Sequence, residues 1–131
     1  MSEFKFGTKS KERLATADKR LKALCDEVIK HTDFSVLEAH RSLERQQELY
    51  KTGKSQIDGV TQQGKHNYFP SLAIDVAPYK KGHNIFDGSD ESELMFWRLI
   101  WEFSRASKKL NIPIRFGAFW SFKDFPHIEL L

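Results

Sequence analysis

Hydrophobic residues recur along the chain with two different periods, and each period predicts one type of element. A period of three to four residues predicts helices, in which the apolar side chains share one face. The predicted helices cover residues 17–31, 43–50 and 91–110. Thr16 is the expected N-cap of the first helix, because its hydroxyl can accept a hydrogen bond from the free backbone N–H groups of the first turn.

A period of two predicts four short strands, at residues 34–39, 72–76, 112–116 and 124–131. In the last of these, Ile128 and Leu130 share the apolar face, and His127 and Glu129 lie on the other. Helices and strands alternate along most of the chain. The order predicts an α+β fold in which helices lie beside a small, mainly antiparallel sheet.

Composition limits the number of domains. The chain has 131 residues, of which 40% are hydrophobic and 13% aromatic. This is enough for one core and too little for two, so we expect residues 1–131 to form a single domain. Cys25 is the one cysteine, which excludes an intrachain disulfide and a cysteine-based zinc finger.

Charge and hydropathy restrict the partners. The net charge of +3 suits a polyanionic partner, but no basic run with interleaved aromatic residues is present, so we expect no nucleic-acid binding. The N-terminus lacks the pattern of a signal peptide, and no segment is apolar for long enough to span a bilayer. We expect a protein made in the cytoplasm, without stable membrane association.

One carboxylate stands out in the strand 72–76. Asp75 lies between two alanines on the face opposite the core residues, where an unpaired charge would be costly. His66 precedes it in a loop, and His127 lies on the last strand. Imidazole and carboxylate are both ligands of zinc. His66 and Asp75 alone are also compatible with a cap, a turn or an ion pair. A second histidine, His127 on the last strand, favours a metal site.

Five ordered segments of the chain resemble the D-alanyl-D-alanine carboxypeptidase superfamily of zinc peptidases. Within it, the chain is most similar to the phage L-alanyl-D-glutamate endopeptidases, which are endolysins. The segments are 39–42, 46–50, 66–79, 115–120 and 124–127. The resemblance implies the fold of that superfamily, which is shared with hedgehog-type domains.

The resemblance also implies roles for individual residues. His66, Asp75 and His127 match the three ligands of Zn²⁺. Asp124 matches the catalytic acid, and Arg41 matches the arginine that faces the scissile carbonyl. Glu129 is open to two interpretations, as a carboxylate that orients an imidazole or as a solvated residue at the sheet edge.

Three further residues are predicted to contact substrate: Gln46, Ser71 and Trp120. The loop from His66 to Asp75 is longer than the common pattern of the superfamily, and it contains Pro70 and Ser71. This departure affects the expected specificity more than zinc binding, because a loop can absorb extra residues without moving its ends.

The resemblance implies a zinc endopeptidase that cuts the L-alanyl-D-glutamate bond of the peptidoglycan stem peptide during phage lysis. We expect a monomer that is made in the host cytoplasm and acts on the cell wall after the membrane is permeabilised, in a Gram-negative host with a thin wall. Two alternatives stay open. One is a D,D- or L,D-carboxypeptidase acting on the same peptides, and the other is a zinc-containing binding module of the same fold.

Overall fold

The computed structural model describes residues 4–131, which form four α-helices and four β-strands. The helices are α1 (Thr8–Leu14), α2 (Lys19–Val28), α3 (Leu43–Lys51) and α4 (Asp90–Leu110). The strands are β1 (Phe34–Glu38), β2 (Ala73–Pro78), β3 (Ile114–Phe116) and β4 (His127–Leu130). None of the described helices combines the length and apolar character needed to cross a membrane.

The four strands form one sheet in the order β1-β2-β4-β3, and every neighbouring pair is antiparallel. The α+β prediction is therefore confirmed. Asp75 on β2 lies opposite His127 on β4. On the other side, a β-bulge between Val36 and Glu38 brings Glu38 opposite Asp75. The register thus places polar side chains of three strands side by side.

The core lies between one face of this sheet and helices α2 and α4. The rings of Phe34 and Phe103 meet edge to face with centroids 5.4 Å apart, and Phe6 packs against Phe34 at 5.2 Å. Residues of both helices and three strands are fully buried there, among them Leu21, Leu24, Val28, Val36, Ile74, Val76, Ile128 and Leu130. Since this face is apolar, the opposite face of β2 and β4 is left for polar chemistry.

The start of α2 corrects one expectation from the sequence. The N-cap is Asp18, whose side chain accepts a hydrogen bond from the backbone N–H of Arg20. The Thr16 hydroxyl instead donates to the Arg13 carbonyl and accepts from the backbone N–H of His40. Thr16 therefore joins distant segments of the chain, a tertiary role that local sequence does not reveal.

Candidate active site

Three side chains that the sequence singled out converge on the polar face of the sheet. His66 lies in a short 3₁₀ turn, Asp75 on β2 and His127 on β4. The Nε2 atom of His66 is 3.2 Å from both Asp75 Oδ1 and His127 Nδ1. The distance from His127 Nδ1 to Asp75 Oδ1 is 3.4 Å. These three atoms face one small volume.

Backbone contacts explain why the loop residue reaches the strand residues. Asp75 and His127 are direct cross-strand neighbours, so their side chains point to the same face. The turn that carries His66 is tied to the end of β1, because the backbone N–H of Arg41 donates to the His66 carbonyl at 2.7 Å. It is also tied to the start of β2, where the N–H of Leu72 donates to the Lys65 carbonyl at 3.0 Å.

Hydrogen bonds on the far side of each imidazole fix its tautomer. His66 Nδ1 lies 2.7 Å from the Ala39 carbonyl, which can only accept, so this nitrogen carries a hydrogen. His127 Nε2 lies 2.8 Å from a carboxylate oxygen of Glu129 and is likewise the donor. When both rings are neutral, the lone pairs therefore lie on the facing nitrogens, His66 Nε2 and His127 Nδ1.

Two lone pairs at this distance repel, and either a proton or a metal ion between them removes the repulsion. The donor set of two imidazole nitrogens and one carboxylate oxygen is one that zinc uses in catalytic sites. The three groups lie close enough together to bind one metal ion, with all ligand atoms within 4.8 Å of one another. His66, Asp75 and His127 therefore fit a metal ion.

The electrostatics of the site also favour a cation. Burial opposes ionisation of Asp75, but its contacts with the imidazoles of His127 and His66 hold its pKa well below the usual range of a carboxyl group. Burial opposes charging of His127, but its hydrogen bonds to Asp75 and Glu129 raise its pKa to about 9. The carboxylates around His127 thus stabilise positive charge at this position.

Arg41 borders the three converging side chains and is held by protein contacts. Its Nε donates to Glu38, one terminal nitrogen donates to the Gln46 amide oxygen at 2.9 Å, and the other lies 3.4 Å from Asp75 Oδ2. Only 12% of the side chain is exposed. The guanidinium is therefore fixed in orientation beside the predicted ligands.

Gln46 is buried, and protein groups occupy both ends of its amide. Its oxygen accepts from Arg41, and its nitrogen donates to the Ser55 hydroxyl at 2.9 Å and to the Ile57 carbonyl at 2.5 Å. The predicted contact of Gln46 with substrate is not tested by this arrangement and stays a prediction. The contact with Arg41 was not foreseen, because residues 55–57 are irregular and give no signal of where they fold back.

Asp124 lies in the loop before β4 and lines the cleft over the site. Within the described residues, no hydrogen bond to this carboxylate is formed. Burial raises the pKa of Asp124, and the negative charge of Asp75 raises it further. Gly117 lies against this loop, since a Cβ atom there would approach the Asp124 carbonyl oxygen to 2.5 Å.

A cleft of about 1150 Å³ opens over these groups. Its lining includes residues of α3, of the loop 54–65 and of the segment 119–122. The Trp120 ring lies 4.8 Å from the His127 ring and lines the cleft. Ser71, by contrast, is fully buried, and its hydroxyl is 3.0 Å from the Ala39 carbonyl that also holds His66. A role of Ser71 in substrate contact stays a prediction.

Comparisons with known proteins agree in sequence and in fold. The chain is 30% identical over 129 residues to the L-alanyl-D-glutamate peptidase of Escherichia phage T5. The alignment covers 97% of this chain and 89% of the relative. It is 30% identical over 113 residues to the peptidoglycan L-alanyl-D-glutamate endopeptidase CwlK of Bacillus subtilis, covering 78% of this chain and 63% of CwlK.

The fold is similar to that of the Serratia marcescens L-Ala D-Glu endopeptidase ChiX, with a TM-score of 0.79 at 24% identity. The superposition covers 98% of this chain and 92% of ChiX. A family model described as phage L-alanyl-D-glutamate peptidase matches residues 1–131. Because this match extends over the full sequence, the chain belongs to the phage L-alanyl-D-glutamate peptidase family.

Proposed function

We propose that this protein hydrolyses the L-alanyl-D-glutamate bond of the peptidoglycan stem peptide with a zinc ion held by His66, Asp75 and His127. Membership of the family supports the choice of bond. One observation carries the catalytic assignment: two imidazole nitrogens and a carboxylate face one volume, and the carboxylate of Asp124, which accepts no hydrogen bond from the described residues, lies in the same cleft.

When bound, zinc supplies Lewis acidity that polarises a carbonyl group and makes water easier to ionise. The protein residues set the charge of the site. Two neutral imidazoles and one carboxylate compensate only half of a divalent charge, which leaves the site electrophilic. The three side chains line the same cleft, because they come from a single sheet face and its adjoining turn.

In this proposal, Asp124 moves the proton. Its carboxylate takes a proton from the attacking water and passes it to the nitrogen of the leaving amine. Two features of Asp124 suit this task. The carboxylate has no hydrogen-bond partner within the described residues that would hold it away from substrate. Its raised pKa also brings it nearer to neutral pH, where a carboxyl group exchanges protons more effectively.

Arg41 stabilises the negative charge that develops on the carbonyl oxygen of the scissile bond. Its guanidinium is always charged and carries several N–H donors in a rigid plane. Glu38 and Gln46 hold that plane before substrate arrives. A preorganised donor does not need to reorient during the reaction, and this is the condition under which such stabilisation is largest.

The setting that we propose for this reaction is phage lysis of a bacterial host. The chain acts as a monomer on the stem peptide, after synthesis in the host cytoplasm and opening of the membrane. Trp120 borders the cleft next to His127, so its ring provides an apolar surface for the peptide. No nucleic-acid partner is proposed.

Mass spectrometry of digested peptidoglycan tests the proposal. Purified cell wall is incubated with the protein, with and without a zinc chelator, and with the Asp124→Asn variant as a control. We expect new N-terminal D-glutamate ends that are absent from both controls. Release of terminal D-alanine would instead indicate a carboxypeptidase. Intact peptidoglycan in the presence of zinc-loaded protein would indicate a binding module.

A further inference from the structure

A second buried carboxylate stands behind the candidate metal site. Glu129 lies on β4, two residues after His127, and is only 7% exposed. One of its oxygens is 2.8 Å from His127 Nε2. Glu129 is not among the three converging ligand groups, and it contacts His127 at Nε2, the ring nitrogen on the other side from Nδ1.

The two histidines of the site are supported by different kinds of acceptor. His66 donates to a neutral backbone carbonyl, that of Ala39, at 2.7 Å. His127 donates to a charged side chain. Since a carboxylate only accepts hydrogen bonds, Glu129 requires the hydrogen of His127 to be on Nε2. The lone pair of His127 is thereby held on Nδ1, the atom that faces His66 Nε2 at 3.2 Å.

Without Glu129, nothing else fixes this choice within the described contacts of His127. The neutral ring would then also adopt the tautomer with hydrogen on Nδ1. In that tautomer the N–H group points at His66 Nε2 and donates to it, which closes the volume between the ligand atoms with a hydrogen bond. A metal ion would have to displace that hydrogen bond before binding.

Cross-strand pairing supports the buried charge of Glu129. Arg115 on β3 lies directly opposite Glu129 in the register of the sheet. A nitrogen of its guanidinium is 3.9 Å from the second oxygen of Glu129. This partner offsets part of the cost of burying an ionised carboxylate, so that Glu129 presents a charged acceptor to His127.

We propose that Glu129 is a positioning residue that holds His127 in the tautomer able to bind metal and so sets the metal affinity of the site. The inference rests on the metal role of His127 proposed above. Partners that orient a ligand histidine typically contribute about 10- to 100-fold to metal affinity. A charged acceptor also makes the imidazole a better electron donor.

Zinc binding by variants tests this role directly. The dissociation constant is measured by competition with a chromophoric chelator for the wild type, Glu129→Ala and Glu129→Gln. We expect Glu129→Ala to bind zinc about 10- to 100-fold more weakly. Glu129→Gln should lose less affinity for zinc, because its amide oxygen can still accept a hydrogen bond from His127 Nε2. Glu91→Gln is the matched control, since Glu91 is an exposed carboxylate paired with Lys80 on the surface.

The tautomer itself is measured on the zinc-loaded wild type by ¹⁵N NMR of the His127 ring. We expect hydrogen on Nε2 and metal on Nδ1. Hydrogen on Nδ1, or unchanged zinc affinity in Glu129→Ala, would overturn the inference while leaving the proposed function intact. A wild type that binds no zinc would remove the metal assignment and this inference together. The NMR result stands even where Glu129→Ala fails to fold.

Discussion

His66 and His127 face each other through Nε2 and Nδ1, which are 3.2 Å apart. Each ring donates its other nitrogen to a fixed protein acceptor, the Ala39 carbonyl for His66 and Glu129 for His127. Neither ring can therefore rotate or change tautomer without losing a buried hydrogen bond, which costs about 1–3 kcal/mol. With both rings neutral, the two facing lone pairs repel, and a metal ion or a proton between them relieves this repulsion.

Metal removal should therefore lower stability as well as activity. A ligand present at 100 times its dissociation constant stabilises the native state by about 2.7 kcal/mol, which corresponds to a rise of about 10 °C in melting temperature for a domain of this size. We expect a chelator to lower the melting temperature by that order and zinc to restore it, as measured by calorimetry. His127→Ala is the control and should show no response to zinc. An equal response in that variant would exclude His127 as a ligand.

Asp124 should be needed for turnover but not for metal binding. Asp124→Asn keeps the size of the side chain and removes its ability to take a proton. We expect kcat to fall by about 10²- to 10⁴-fold, with zinc content unchanged by elemental analysis. Full activity of Asp124→Asn would show that another group moves the proton.

Gly117 should be required for the position of Asp124. A Cβ atom at residue 117 would lie 2.5 Å from the Asp124 carbonyl oxygen and 2.9 Å from the His127 Cβ. The backbone cannot move away from this contact without a large cost in free energy. We therefore expect Gly117→Ala to destabilise the protein by about 1–3 kcal/mol and to reduce kcat. Gly7→Ala is the control, because no atom lies within 4 Å of a Cβ at that position. Equal urea midpoints and equal rates for the two variants would contradict the prediction.

The sequence predicted the faces of the strands better than the contacts between them. Alternation placed Asp75 and His127 on the polar faces of their strands, and the structure confirms both placements. Their adjacency depends on the antiparallel pairing of β2 with β4, which joins segments far apart in the chain. A period of two cannot specify such a partner. The set of ligands came from the resemblance to a family, not from periodicity.

Loop contacts were the part that sequence reasoning missed. Gln46 was predicted only as a substrate contact, and nothing in the sequence indicated that the loop at 55–57 covers it and binds its amide. Ser71 is buried between backbone carbonyls for a similar reason. Irregular segments carry no hydrophobic period, so the side chains that they bury cannot be identified from spacing. Glu129 was open to two interpretations until its contact with His127 was seen.

The kinetics of a Gln46 variant distinguish two roles of this residue, holding Arg41 in place and contacting substrate. Its amide oxygen accepts from Arg41 at 2.9 Å, and its nitrogen is bound to the loop. If it positions Arg41, Gln46→Ala should lower kcat by about 10- to 100-fold with little change in KM, because misplacing a catalytic group by about 1 Å has an effect of this size. A large rise in KM with unchanged kcat would indicate substrate contact instead. Gln47→Ala, at the next position of the same helix, serves as the control.

Glu27 lies outside the candidate active site, and its carboxylate should make the stability of the fold depend on pH. Its carboxylate is buried at the end of α2 and lies 3.2 Å from Lys109 and 3.3 Å from Arg105 on α4. Burial opposes its ionisation, but hydrogen bonds from Lys109, His31 and Arg105 outweigh this effect and lower its pKa to about 2. The ordinary pKa of 4.5 applies in the unfolded chain. The carboxylate therefore stabilises the fold fully above pH 4.5, and this contribution is lost as the pH falls towards 2.

Glu27→Gln should lower the free energy of unfolding at pH 7 by about 1.5–3 kcal/mol, the range for hydrogen bonds to charged groups. The difference from the wild type should shrink as the pH is lowered from 4.5 to 2, because the wild-type carboxyl then becomes neutral as well. Urea unfolding at several pH values measures both effects. Asp26→Asn is the matched control: its exposed pair with Lys22 should contribute less than about 1 kcal/mol. A constant gap between Glu27→Gln and wild type across this range would mean that Glu27 acts through packing and not through charge.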